Sequence, residues 1–156
     1  MAIKDQIDVE IHLKTKIRQE NDLEEFEFHT NGQLFLKNDA LYLRYTEVIE
    51  NQKTQIMFKF EENRVRMNRS GDILTKFSFV KSQRIPALYQ TPTGQMQLET
   101  LTTLMALNID HEETHGEVAI DYVLYAMQQI VGQYEIRLQF MPKSSMLDWL
   151  ETPERT

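Results

Sequence analysis

The sequence predicts an all-β protein folded as a closed, antiparallel, up-and-down β-barrel, and three observations carry that expectation. Apolar residues recur at every second position along most of the chain, turn residues interrupt them at short intervals, and one face of each run stays apolar. Period-2 alternation places successive side chains on opposite faces of a strand, whereas a helix would scatter them around its circumference. Connections of a few residues make sequential strands neighbours in a meander. About nine or ten such strands would leave two open edges, which closure into a barrel removes, with the apolar face inside.

The elements follow in order. Ile7, Val9, Ile11, Leu13 and Ile17 alternate with Asp8, Glu10, His12, Lys14 and Lys16, giving the first strand. Gln19-Glu20-Asn21-Asp22 turns the chain into Leu23 to His29, where Phe26 and Phe28 alternate with Glu25 and Glu27. Asn31-Gly32 then reads as a tight type I′ hairpin turn, because both residues tolerate positive φ. A short strand, Gln33 to Lys37, ends at a second turn, Lys37-Asn38-Asp39. Ala40 to Val48 sets Leu41, Leu43 and Tyr45 against Tyr42 and Arg44, and Thr54 to Phe60 aligns Ile56, Phe58 and Phe60. Beyond Glu62-Asn63, Val65 and Met67 alternate with Arg64 and Arg66; Ser70-Gly71-Asp72 leads into Ile73 to Val80.

Residues 81–94 break the rhythm. Pro86 and Pro92 cannot donate to a ladder, so this segment reads as the longest irregular connection and a candidate flap over one barrel end. Gln95 to Ile109 runs extended, but its apolar set changes parity from Met96 and Leu98 to Leu101, Met105, Leu107 and Ile109, the mark of a bulge or bend. Two strands close the run, Glu117 to Ala126 and Ile130 to Met141, joined near Gln128-Gln129 by a turn with poor turn chemistry. The barrel domain is thus expected over residues 1–141. In the remaining segment, 142–156, Ser144 or Ser145 is placed to cap a short helix carrying Met146, Leu147, Trp149 and Leu150, which would plug one barrel end or form a loose tail.

Composition narrows the function classes. A chain of 156 residues with 41% apolar and 26% charged side chains suits one self-supporting globular domain. The absence of cysteine removes disulfides, thiolate catalysis and sulfur-ligated zinc, and suits a reducing cytoplasm. Acids occupy the N-terminal positions where a signal peptide keeps its apolar core, and no apolar stretch approaches the ~20 residues of a membrane span. A net charge of −7 disfavours nucleic acid as a partner. The charge is uneven, however: Lys53 to Arg84 holds eight basic residues and three acids, a net +5 that leaves −12 on the rest. Two differently charged solvated faces account for this, with a local anion-binding surface as the sharper alternative.

The order of strands and turns resembles the YwiB-like family of small, uncharacterised bacterial proteins. The residues that carry it are Phe28-His29-Thr30-Asn31-Gly32, Leu41-Tyr42-Leu43-Arg44-Tyr45-Thr46-Glu47, Met67-Asn68-Arg69-Ser70-Gly71 and Tyr89-Gln90-Thr91-Pro92-Thr93-Gly94, together with the last two strands. The resemblance covers residues 5 to 141 and rests on the order of these short motifs. It implies a calycin-type (lipocalin-like) barrel and no particular reaction.

One motif looks catalytic. His111-Glu112-Glu113-Thr114-His115 fits H-E-x-x-H, in which a helix brings two histidines onto one zinc while the glutamate activates water; Glu135, further along, is placed as a third ligand. The flanking strands argue instead for a polar hairpin turn, and Glu135 alternates with inward Tyr134 and Ile136. His12 and His29 sit on strands as solvated or packed histidines. No G-x-S-x-G elbow, P-loop or dinucleotide glycine pattern is present, and no cofactor is signalled.

The leading expectation is a non-enzymatic module that binds a small molecule, anionic or amphipathic, in the barrel. Arg44, Arg66 and Arg69 are the candidate polar contacts, and Tyr42 and Tyr45 the candidates for a barrel mouth. The alternatives are a zinc-dependent hydrolase through His111, His115 and Glu112, and a protein-interaction module using the basic segment or the Trp149 tail.

Overall fold

The computed structural model describes residues 6–143, and within them ten strands close into one antiparallel barrel. The strands are β1 (Ile7–Gln19), β2 (Asp22–Lys37), β3 (Ala40–Ile49), β4 (Gln52–Phe60), β5 (Val65–Ser70), β6 (Leu74–Phe79), β7 (Arg84–Thr91), β8 (Gly94–Asp110), β9 (His115–Ala126) and β10 (Gln129–Pro142). Each pairs with its chain neighbours, and β1 closes the ring on β10 from Val9↔Pro142 to Arg18↔Gln133. The expected closed meander is therefore the fold. The C-terminal capping helix lies outside the described residues.

Three hairpins turn through two residues that both have positive φ: Asn38-Asp39, Glu50-Asn51 and Met127-Gln128. That geometry matches the right-handed twist of the flanking strands, and Asn and Asp adopt it most readily. Met127-Gln128 has neither residue, which is why its sequence signal is weak.

Two sequence expectations are corrected. Asn31-Gly32 is not a turn: β2 runs unbroken through it, with Gly32 paired to Val9 on one side and Tyr45 on the other. Its φ is not positive. Glycine is required there by close approach, since a Cβ would strike the Arg44 carbonyl oxygen and lie 2.7 Å from Ile11 Cδ1. Nor do residues 81–94 form a flap. Arg84–Thr91 is β7, joined to β8 by the two-residue turn Pro92-Thr93. Pro86 is tolerated because it lies beyond Lys76↔Leu88, the last β6–β7 pair, where an N–H on that side would meet no ladder partner. The seam below is held instead by the Thr100 hydroxyl donating to the Ser78 carbonyl (3.1 Å) and Ser82 N–H donating to the Thr102 carbonyl (2.8 Å).

The parity change in β8 coincides with a register shift between Thr102 and Leu104. Leu98, Thr100 and Thr102 are buried before it, and Met105, Leu107 and Ile109 pack on the core after it. Leu101 belongs to the outer face, not to the inward set.

The interior is filled at one end only. Toward the end where β1 begins, Val9, Ile11, Leu43, Phe60, Phe79 and Leu138 are almost wholly buried. Phe58, Phe60 and Phe140 stack there in series, with centroids 5.9 and 6.3 Å apart. Most outward positions are polar or charged, and β1 presents only Asp8, Glu10, His12, Lys14, Lys16 and Arg18 on that face. Among the described residues, no helix is long and apolar enough to cross a membrane.

Candidate functional site

The opposite end of the barrel is hollow. Strand alternation aims Leu13, Phe28, Tyr45, Met67, Tyr122 and Ile136 at a cavity of about 450 Å³, inside the ~300–1,000 Å³ range of small-molecule sites. Phe26 and Ile49 line it while remaining 50% and 58% exposed, so the cavity opens to solvent between the hairpins. Those hairpins carry an apolar rim. Nine of the twelve large apolar side chains that are exposed among the described residues lie there, including Leu23, Val48, Ile73, Met96, Met127 and Ile130.

Inside this apolar chamber sits an ion pair. On β3, Glu47 is in phase with Leu41, Leu43 and Tyr45; on β5, Arg69 is in phase with Val65 and Met67, so both face inward. Arg69 reaches across β4 and donates from Nη2 to Glu47 Oε1 at 2.6 Å. The Glu47 side chain is 8% exposed and that of Arg69 34%. A guanidinium has five N–H donors and a carboxylate two acceptor oxygens, so the pair is electrically neutral yet keeps hydrogen-bonding capacity.

Two phenols share the chamber. Burial, reinforced by the Glu47 charge, pushes Tyr45 well above its ordinary pKa, and burial does the same to Tyr122, which stacks on Tyr134 at 4.9 Å. Both phenols keep their protons in the folded barrel, so their contribution is complete below about pH 10 and is lost as pH rises beyond it. Above that point stability falls by about 1.4 kcal/mol per pH unit for each, or about 3 for the pair, because the unfolded chain gives up protons that the barrel holds. Urea midpoints on either side of pH ~10 measure this; a flat profile would show that the phenols are not sealed in.

The sequence candidates separate. Tyr45 and Arg69 meet at the cavity. Tyr42 lies on the outer face, stacked on Phe35 at 5.2 Å. Arg44 is outside as well, 5.2 Å from the Phe35 centroid and 3.4 Å from Gln6 Oε1. Arg66 is exposed on the outer face of β5, so the three arginines do not form one cluster. The sequence reading missed Glu47, although an acid in phase with three apolar residues was its visible signal.

The H-E-x-x-H segment is not helical. Asp110 ends β8, His115 begins β9, and Asp110 Oδ1 accepts from the N–H groups of Glu112 and Glu113 at 3.0 and 3.1 Å, shaping the turn. His111 lies in the turn and His115 is the first residue of β9, paired with Asp110, so no helical i, i+4 face brings the two histidines together. Glu135 pairs in register with Asp121, six residues from His115, or about 20 Å along the strand. The standard zinc-hydrolase arrangement is excluded.

A different cluster lies on the outer face of β1–β2. His12 and His29 are directly opposed and stack with centroids 4.2 Å apart at 4°. Glu27 Oε2 is 2.6 Å from His12 Nε2, and that hydrogen bond is the main reason its carboxyl lies below the usual range.

A closed meander of ten strands with one packed end and one hollow, charge-bearing end defines a small cavity-bearing β-barrel. The family model described as a domain of unknown function, DUF1934, matches residues 11–138, and the chain belongs to that family. It is similar to the "uncharacterized beta-barrel protein YwiB" of Bacillus subtilis (strain 168), at 28% identity over 123 residues, 79% of this chain and 85% of that protein. The crystal structure of the Bacillus subtilis ywiB protein superposes with a TM-score of 0.78 and 25% identity, covering 88% of this chain and 92% of the other.

Proposed function

We propose that this barrel is a non-enzymatic binding module that takes one amphipathic small molecule into its hollow end, as calycin-type barrels do. The observation that carries the reading is the neutral Arg69–Glu47 pair set in an apolar chamber beneath an apolar rim. The walls reward an apolar body, each buried CH₂ contributing about 0.8 kcal/mol. The pair rewards a small head group that both donates and accepts hydrogen bonds. A bare anion fits less well, because Glu47 already occupies Arg69 and would repel it. Amphipathic rather than simply anionic is therefore the favoured ligand class.

The apolar rim supports a second reading, docking of a protein partner, and one experiment separates the two. Titration with the amphipathic dye anilinonaphthalenesulfonate is expected to show one saturable site per chain. Leu124→Trp, which projects an indole into the cavity, should weaken it, while Arg44→Ala and Arg66→Ala on the outer face should leave it unchanged. Undiminished binding in Leu124→Trp would place the dye on the rim and favour docking.

A further inference from the structure

We propose that His12, His29 and Glu27 together hold one divalent transition-metal ion of the zinc, copper or nickel class on the outer face of the β1–β2 hairpin. Strand register does the positioning. His12↔His29 is a directly opposed cross-strand pair, and Glu27 lies two residues from His29 on the same face, opposite Lys14. The imidazoles are already neighbours, with centroids 4.2 Å apart, and because their nitrogen lone pairs lie in the ring planes, binding turns the rings out of the parallel stack so that the lone pairs converge. One ligand atom from each residue lies within 4.8 Å of the other two. Ligands sharing a zinc ion at ~2.0–2.2 Å sit about 3.3 Å apart, so closure requires shifts of about an ångström in exposed side chains.

The donor set selects the ion. Two imidazoles and one carboxylate suit zinc, copper and nickel, whereas calcium and magnesium prefer all-oxygen shells. Three protein ligands also leave a coordination position for water or another molecule. His12 lines a surface groove of about 500 Å³ shared with Lys14, Asn108, Glu117, Arg137 and Gln139, from which that position is approached. Lys14 opposes the ion, but the site is exposed and that repulsion is screened by salt. Glu27 also borders the barrel cavity, but His12 and His29 do not, and the cluster is separate from the His111–His115 turn; it does not depend on the ligand-binding reading.

The test is zinc titration of the full-length chain, prepared without a metal-affinity step and stripped with chelator, in competition with a chromophoric chelator. One ion per chain is expected. His12→Ala and His29→Ala should each weaken binding by roughly tenfold or more, at least what losing an outer-shell partner costs a metal site, with Glu27→Gln weakened in the same direction. Zinc should raise the thermal midpoint of the unmodified chain but not that of His29→Ala, and the metal-free midpoints of the variants report that they fold. His111→Ala should bind zinc unchanged. Failure to bind zinc in large excess, unchanged affinity in His12→Ala or His29→Ala, or loss of binding in His111→Ala would overturn the site.

Discussion

Gly32→Ala is expected to destabilise the barrel by about 3 kcal/mol, although alanine ordinarily favours a strand over glycine. The new methyl meets a backbone atom, the Arg44 carbonyl oxygen, which sits in the β2–β3 ladder and cannot retreat without breaking it. Ile11 Cδ1 at 2.7 Å and Tyr45 Cβ at 3.0 Å close the other directions, and both belong to buried core residues. Two other glycines serve as internal controls. At Gly116 the nearest atom is Phe140 Cζ, also at 2.7 Å, but it is the far end of a side chain that can tilt, so about 1 kcal/mol is expected. At Gly94 nothing lies within 4 Å, and alanine should be neutral. The urea midpoints should fall in that order with unchanged slopes. Were Gly32 instead at a hairpin tip, as Asn31-Gly32 suggests, alanine there would act through strain in φ, and asparagine would rescue it. In an unbroken strand asparagine is worse than alanine, because it brings more atoms to the same contact.

What the sequence conveys and what it hides divide along a physical line. Alternation depends on neighbouring residues alone, so Ile7 through Ile17, or Val118 through Leu124, declare their strand and inward face without reference to the rest of the chain. Even the bulge in β8 was legible, as a change of parity. Glycine is ambiguous because it is used for positive φ in turns and for close approach in strands, and only the opposing backbone decides. That ambiguity cost the continuity of β2. The register relating His29 to His12 is independent of it, because the turn at Glu20-Asn21 alone implies the pairing. Pro86 misled in the same way: whether a missing N–H matters depends on whether the neighbouring strand is still there. Within the cavity, the charge of Arg69 marks it within a basic segment, whereas Glu47 is marked only by its phase on β3. Reading both against the phase of Val65-Met67 and Leu41-Leu43-Tyr45 would have paired them, because opposite charges placed on inward faces must neutralise each other.

That pairing makes Arg69→Met the second substitution with a large expected effect. Removing the guanidinium leaves the Glu47 carboxylate, 8% exposed, without its partner in an apolar chamber. Breaking a buried pair in this way costs about 3–5 kcal/mol, and the lower figure applies because solvent reaches a third of Arg69. Glu47→Gln should cost less, about 1 kcal/mol, since the surviving charge belongs to the more exposed partner and the amide still accepts from it. The double variant Glu47→Leu/Arg69→Met should recover most of the loss, because replacing a buried pair by apolar side chains of similar volume is close to neutral. With Glu47→Leu measured alone to complete the double-mutant cycle, coupling well above 1 kcal/mol, read from urea midpoints, would establish the pair as one interacting unit. Its stability then distinguishes two reasons for the pair to exist. A double variant that folds normally and no longer takes up anilinonaphthalenesulfonate would mean that the charges serve the ligand, since the barrel stands without them. One that folds normally and binds the dye unchanged would remove the polar anchor from the proposed site and leave a purely apolar chamber.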